Sequence, residues 1–148
     1  MADLEEMKEQ IEDKIAQGFR CIKLKIGAID FDKEMDLLRF IRTNFDEKTI
    51  EIRVDANGAF TENEALDKIN QITGFKLHSI EQPIQKNHTD TMSVLCKMTN
   101  LPIALDEELI GVFSLKDKEQ LLQKIKPQYI ILKPSFIGGF RGTLEWIS

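Results

Sequence analysis

The sequence is poor in the residues that mark several functional classes. It holds two cysteines in 148 residues, Cys21 and Cys96. Their spacing suits no metal site, and with no secretory signal both thiols are expected to be reduced. The two histidines, His78 and His88, carry no partner pattern and read as structural or surface residues. No apolar run approaches the roughly 18 residues of a membrane-spanning helix, so no membrane role is expected. The opening Met1-Ala2-Asp3-Leu4-Glu5-Glu6 is acidic and lacks the apolar core of a signal peptide, which points to the cytoplasm. Positive charge is in deficit: 20 Lys and Arg against 25 Asp and Glu leave −5, the opposite of a nucleic-acid footprint. The turn after the first β-like run, Gly27-Ala28-Ile29-Asp30, has neither GxGxxG nor P-loop glycines, which argues against a doubly wound nucleotide binder.

What is present is a domain of ordinary composition, 42% apolar and 30% charged, with a regular alternation of patterns. A helical stripe over residues 3–17 sets Leu4, Met7, Ile11 and Ile15 on one face, opened by an Asp3–Glu6 capping box and closed by Gly18. Period-two alternation follows over 19–27. Asp30 caps a helix reaching about Asn44; a strand covers 50–54; Thr61 and Glu64 open a helix that Gly74 ends. A strand over 77–81 stops at Pro83, a helix runs through Met92 and Leu95, and Pro102 leads into a strand over 103–105. Ser114 and Asp117 open a helix ended by Pro127; a fifth strand covers 129–133, and the last residues begin another helix. Such alternation predicts a parallel sheet with crossover helices. Polar residues end all five strands, which favours a (β/α)8 TIM-type barrel over an open sheet with one switch point. A whole barrel takes roughly 200–250 residues, so the expectation is part of one.

The strand ends carry the chemistry. Asp55, Glu81 and Asp106 end three successive β-like runs, one βα unit apart. Carboxylates brought to one point repel unless a cation sits among them, and oxygen-only ligands suit a hard ion such as Mg2+. Lys23 and Lys25 share one strand face; mutual repulsion and burial would lower a lysine pKa and make a usable base, although Lys-x-Lys is more commonly a solvent-facing edge. Lys133 closes the fifth strand, across the cavity from Lys25 if the sheet rolls up. Asn57 reads either as a group orienting a ligand or as a turn residue with Gly58. Arg53, on the face of Glu51 and Asp55, reads as a buried ion-pair partner. The Gly138-Gly139 pair permits the close backbone approach of an anion-binding turn.

Together, Lys23-Leu24-Lys25, Asp55-Ala56-Asn57, Glu81-Gln82-Pro83, Asp106-Glu107-Glu108 and Lys133-Pro134-Ser135 resemble the enolase superfamily, in its muconate-lactonising-enzyme-like branch. The resemblance covers about residues 1–142. It implies that Asp55, Glu81 and Asp106 bind Mg2+ and that Lys25 is the acid/base on one face of a small carboxylate substrate. Lys133 lies on the other face, as a second base in the racemases or a cationic stabiliser in a dehydrating enzyme. Lys23 tunes Lys25, and Asn57, Ser135, Gly138 and Gly139 are the remaining substrate-binding or tuning candidates. The run from Lys133 to Gly139 is most like the dehydrating lyase of menaquinone biosynthesis; dipeptide epimerases and N-acylamino acid racemases are the alternative. The family also has an N-terminal capping domain, a first barrel strand and two last strands with no counterpart here. The expectation is therefore a barrel fragment holding strands two to six of eight, inactive alone and prone to form homo-oligomers through its open edges.

Overall fold

The computed structural model describes residues 4–148. The elements in chain order are α1 (Leu4–Ala16), β1 (Cys21–Lys25), α2 (Phe31–Asn44), β2 (Glu51–Asp55), α3 (Ala65–Thr73) and β3 (Ser79–Glu81). They continue as α4 (Thr89–Met98), β4 (Ile103–Leu105), a 3-10 turn (Glu107–Leu109), α5 (Leu115–Ile125), β5 (Tyr129–Ile130) and α6 (Gly139–Ile147). The five strands form one sheet in the order β1-β2-β3-β4-β5, every pair parallel. Each strand therefore pairs with its chain neighbour. The order never reverses, as a doubly wound sheet requires, and the winding is that of a βα-barrel wall.

Period two decides what each face of the sheet does. Ile22, Ile52, Val54, Ile80, Ile103 and Leu105 point to the helices and are buried. Leu38 and Ile41 of α2, Ile69 and Ile72 of α3, Met92 and Leu95 of α4, and Ile125 of α5 meet them in one continuous core. The opposite face is polar: Lys23, Arg53 and Ser79 stand in one row of the register, Lys25, Asp55 and Glu81 in the next. The hydrophobic core thus lies mainly between sheet and helices and fixes the backbone from behind.

The local signals work mostly as written. Asp30 accepts from the Asp32 N–H at 3.0 Å, and Ser114 Oγ from the Asp117 N–H at 3.1 Å. Gly18 takes φ +95° after α1, and the α1 cap expected at Asp3 lies outside the described residues. Of the Thr61–Glu64 box, the glutamate half forms: Glu64 Oε1 accepts from the Thr61 N–H at 3.1 Å. The same oxygen takes Lys68 at 3.0 Å, and a turn occupies 62–64 before α3 begins at Ala65. β3 is shorter than expected, although the His78 N–H still donates to Ile52 O at 2.8 Å. β5 is shorter too. The Ile131 N–H donates to Leu105 O at 2.7 Å, after which its neighbour turns away into the 3-10 turn, so Lys133 lies beyond the strand.

Ile80 sits at the centre of this core, fully buried and one residue before Glu81. Ile80→Ala is expected to cost about 2–5 kcal/mol, read from the urea midpoint at constant m. A loss within about 0.5 kcal/mol, as at a surface position, would contradict the packing described.

Candidate active site

The register sets Lys25, Asp55 and Glu81 side by side at the strand tips, and Asp106 follows one residue after β4. All three carboxylates are buried, Asp55 at 5%, Glu81 at 3% and Asp106 at 2% exposure. They form a row rather than converging on one point: among the described residues no three acid, thiol or imidazole groups are grouped as a metal cage. The countercharge is supplied by lysines. Lys23 Nζ bridges Asp55 Oδ2 at 3.1 Å and Glu81 Oε2 at 2.5 Å, and Lys133 Nζ pairs with Asp106 Oδ2. The second oxygen of Glu81, Oε1, is buried without a hydrogen-bond partner. An all-oxygen, buried set with one unsatisfied acceptor fits a hard divalent ion. Both lysines are more than a third exposed along their side chains.

The electrostatics correct one expectation. Lys23 is not depressed: burial pulls its pKa down, but its hydrogen bonds to Glu81 and Asp55 more than offset that and raise it. Lys133 is raised as well, first by its bond to Asp106, with burial acting the other way. Glu81 is pushed up by burial, against its bond to Lys23, and the charges of Asp55 and Asp106 push it further. A like-charged lysine one pleat away matters less than acids in direct contact.

Lys25 has a different partner. Its Nζ donates to Asn57 Oδ1 at 2.6 Å, and Asn57 Nδ2 donates to Glu107 Oε1 at 3.0 Å. The Asn57 N–H donates to Asp55 Oδ1 at 3.1 Å, and the residue adopts φ +45°. Asn57 is therefore at once a turn residue and an orienting group. Gly58 must be glycine: at φ +72° its Cβ would stand 3.0 Å from Gln85 Cα.

Other candidates fall outside the row. Ser135 and Gly138 lie in the exposed turn after Lys133 and Gly139 opens α6; among the described residues no hydrogen bond joins the Ser135 side chain to the row. The Gly139 N–H, a donor the anion-binding turn would use, is committed to Pro134 O at 2.8 Å. Arg53 pairs with Glu51 at 2.7 Å, but the pair is exposed rather than buried, since it faces the open side of the sheet. His78 stacks on Tyr129 with centroids 4.9 Å apart, and His88 pairs with Glu62 at 2.7 Å. The buried acids and amide that support the site, Gln82, Glu108 and Glu34, were not singled out by sequence reasoning. Their only signal is polar character next to a strand tip or loop.

Comparison with known proteins identifies relatives of the chain and of its fold. Residues 6–148 match the family model described as enolase C-terminal domain-like. An o-succinylbenzoate synthase from Desulfotalea psychrophila is 53% identical over 141 residues, 95% of this chain and 38% of the relative. An L-amino acid-D/L-Glu epimerase from Francisella philomiragia is 30% identical over 133 residues, 88% of this chain and 36% of the relative. The crystal structure of MenC from D. psychrophila LSv54 superposes with a TM-score of 0.92 at 50% identity, covering 99% of this chain and 40% of that one. The chain thus spans about two fifths of the length of the relatives it matches.

The loop leaving Lys25 is pinned by Glu34, 4% exposed, whose Oε1 accepts from the Gly27 N–H at 2.6 Å and whose Oε2 has no partner. Burial raises its pKa, and the loop N–H donors only partly oppose that. A glutamate raised in the folded state takes up protons on folding. Its contribution is full below the unfolded pKa and is lost as pH rises through the folded one. Glu34→Gln is expected to flatten that fall, so that from the ordinary glutamate pKa to neutrality the variant loses less stability than the parent. Urea denaturation at several pH values checks this; parallel profiles would contradict it.

Proposed function

The chain belongs to the enolase C-terminal domain-like family, and on that premise we propose that it carries the barrel site of an o-succinylbenzoate synthase, a magnesium-dependent carbon–oxygen lyase of menaquinone biosynthesis acting in the cytoplasm. The observation that carries this reading is the buried carboxylate row of Asp55, Glu81 and Asp106, flanked by Lys25 on β1 and Lys133 after β5. The 53% identity to a synthase narrows it within the family.

The reaction removes a proton α to a carboxylate, which leaves an anion with two negative charges. Asp55, Glu81 and Asp106 would hold Mg2+, which when bound offsets that charge as it develops. Lys25 takes the α-proton; the C–H electron pair becomes the new C=C, the β-C–O bond breaks, and Lys25 returns the proton to the departing hydroxyl. One base on one face gives a syn loss of water. Lys23 is unsuited to the role, because two carboxylates hold its proton. Lys25 meets the neutral oxygen of Asn57 instead, which aims its Nζ without adding a charge.

Lys133 is paired with Asp106, which favours its protonated form. A protonated lysine on the second face would also serve a two-base epimerase, as the acid that returns the proton, so the two readings are separated by assay. A lysine held as a cation suits a stabiliser of the anionic intermediate. The identity to an L-amino acid-D/L-Glu epimerase keeps the second reading open to test.

The test is a chimera in which residues 6–148 replace the matching stretch of the D. psychrophila synthase. It is expected to dehydrate the β-hydroxy acid precursor of o-succinylbenzoate, to lose that activity on metal chelation, and to regain it with Mg2+. Asp106→Ala is expected to abolish metal-dependent turnover. Lys25→Ala should lower kcat by about 10²–10⁴-fold with little change in substrate binding, and a larger effect from Lys23→Ala would reverse the assignment. A folded chimera that instead exchanges solvent deuterium into both enantiomers of a dipeptide, without dehydration, would replace the synthase by the epimerase.

A further inference from the structure

Gln82 stands immediately behind the carboxylate row and is fully buried. Its side-chain amide is saturated. Oε1 accepts from the N–H groups of Asp106 at 3.2 Å and Glu108 at 3.3 Å. Nε2 donates to Ile84 O at 3.0 Å and to Glu108 Oε2 at 3.3 Å. The Glu108 carboxylate is itself fixed, accepting from the Asn87 N–H at 3.0 Å. The backbone of Gln82 adds two more ties: its N–H donates to Ala104 O at 2.9 Å, and its carbonyl accepts from the Gly58 N–H at 2.7 Å. One residue thereby joins the loops after β2, β3 and β4. It does so at φ +39°, a left-handed conformation that side chains avoid and that persists only where the surroundings impose it.

This planar amide runs from the residue after Glu81 to the peptide N–H of Asp106. We propose that Gln82 is a positioning residue that sets the spacing of the Glu81 and Asp106 carboxylates and thereby the choice of divalent ion at the site. The inference rests on the reading that these acids hold a cation. Mg2+ demands near-ideal octahedral oxygens at about 2.0–2.1 Å, whereas Ca2+ accepts irregular shells at about 2.3–2.6 Å. Loosening the spacing should therefore harm Mg2+ binding more than Ca2+ binding. A residue that merely packs would, when changed, weaken both ions together.

The experiment titrates Mg2+ and Ca2+ separately into the 148-residue chain by calorimetry, at a temperature where circular dichroism shows each variant folded. Q82E keeps the shape but turns the Nε2 donor into an oxygen facing two acceptors, Ile84 O and Glu108 Oε2. Its Mg2+ affinity is expected to fall about 10–100-fold, the usual range for groups that support metal ligands, with a smaller loss for Ca2+. Adding E108Q returns a donor to that contact, and the Mg2+/Ca2+ affinity ratio should recover in part. Should Q82E not fold, E108A tests the same point, since it frees the amide while leaving Gln82 in place; the ratio should again fall. A folded variant with an unchanged ratio, or with equal losses for both ions, overturns the proposal. Binding of neither ion by the unsubstituted chain overturns the metal reading, and this inference with it.

Discussion

Three carboxylates buried in a row at one end of a sheet are tolerable only with countercharge, and much of the local structure follows from that requirement. Removing a carboxylate from water is costly unless the charge is paired. The chain meets the demand from both sides. Lys23 reaches Asp55 and Glu81 from β1, and Lys133 reaches Asp106 from beyond β5. The strands between the two lysines bring only acids to the tips. The row cannot relax by splaying apart, because the parallel ladder fixes Asp55 against Glu81 and the Gln82 amide fixes the Asp106 peptide.

The apolar half of the molecule makes this arrangement stiff. Ile52, Val54, Ile80, Ile103 and Leu105 alternate with the polar residues and anchor the same strands to the helices. A shift of one residue in any strand would bury its polar set and expose its isoleucines, so the register that lines up the acids is also the one that buries the core. Site and core are thus specified by the same period-two pattern, read from its two sides.

That shared pattern explains what was legible in the sequence. The strand and helix order, the caps at Asp30 and Ser114, and the placement of Asp55, Glu81 and Asp106 at strand tips follow from local spacing, and local spacing is what a sequence displays. Less legible was anything set by contacts distant along the chain. The sign of the Lys23 shift depends on acids 32 and 58 residues away. The burial of Lys118, whose Nζ donates to Gly142 O at 3.1 Å and Glu145 Oε2 at 2.8 Å, depends on how α6 lies against α5. Gln82 lay within a motif noted for its neighbour Glu81, and only the folded loops reveal four partners around its amide.

Lys23 and Lys25 show how little separates a structural cation from a candidate base. They share a strand, a face and a charge, one pleat apart. Lys23 points between two acids, and its proton is held by both. Lys25 stands level with Asp55 in the register, yet its Nζ meets Asn57, because that residue turns through φ +45° and brings Oδ1 to 2.6 Å. The turn thus places a neutral acceptor where another carboxylate would have locked the proton in place. Glu107 holds the far end of the same amide at 3.0 Å. The difference between the two lysines is therefore made by the loops beyond the strand tips rather than by the strand that carries both.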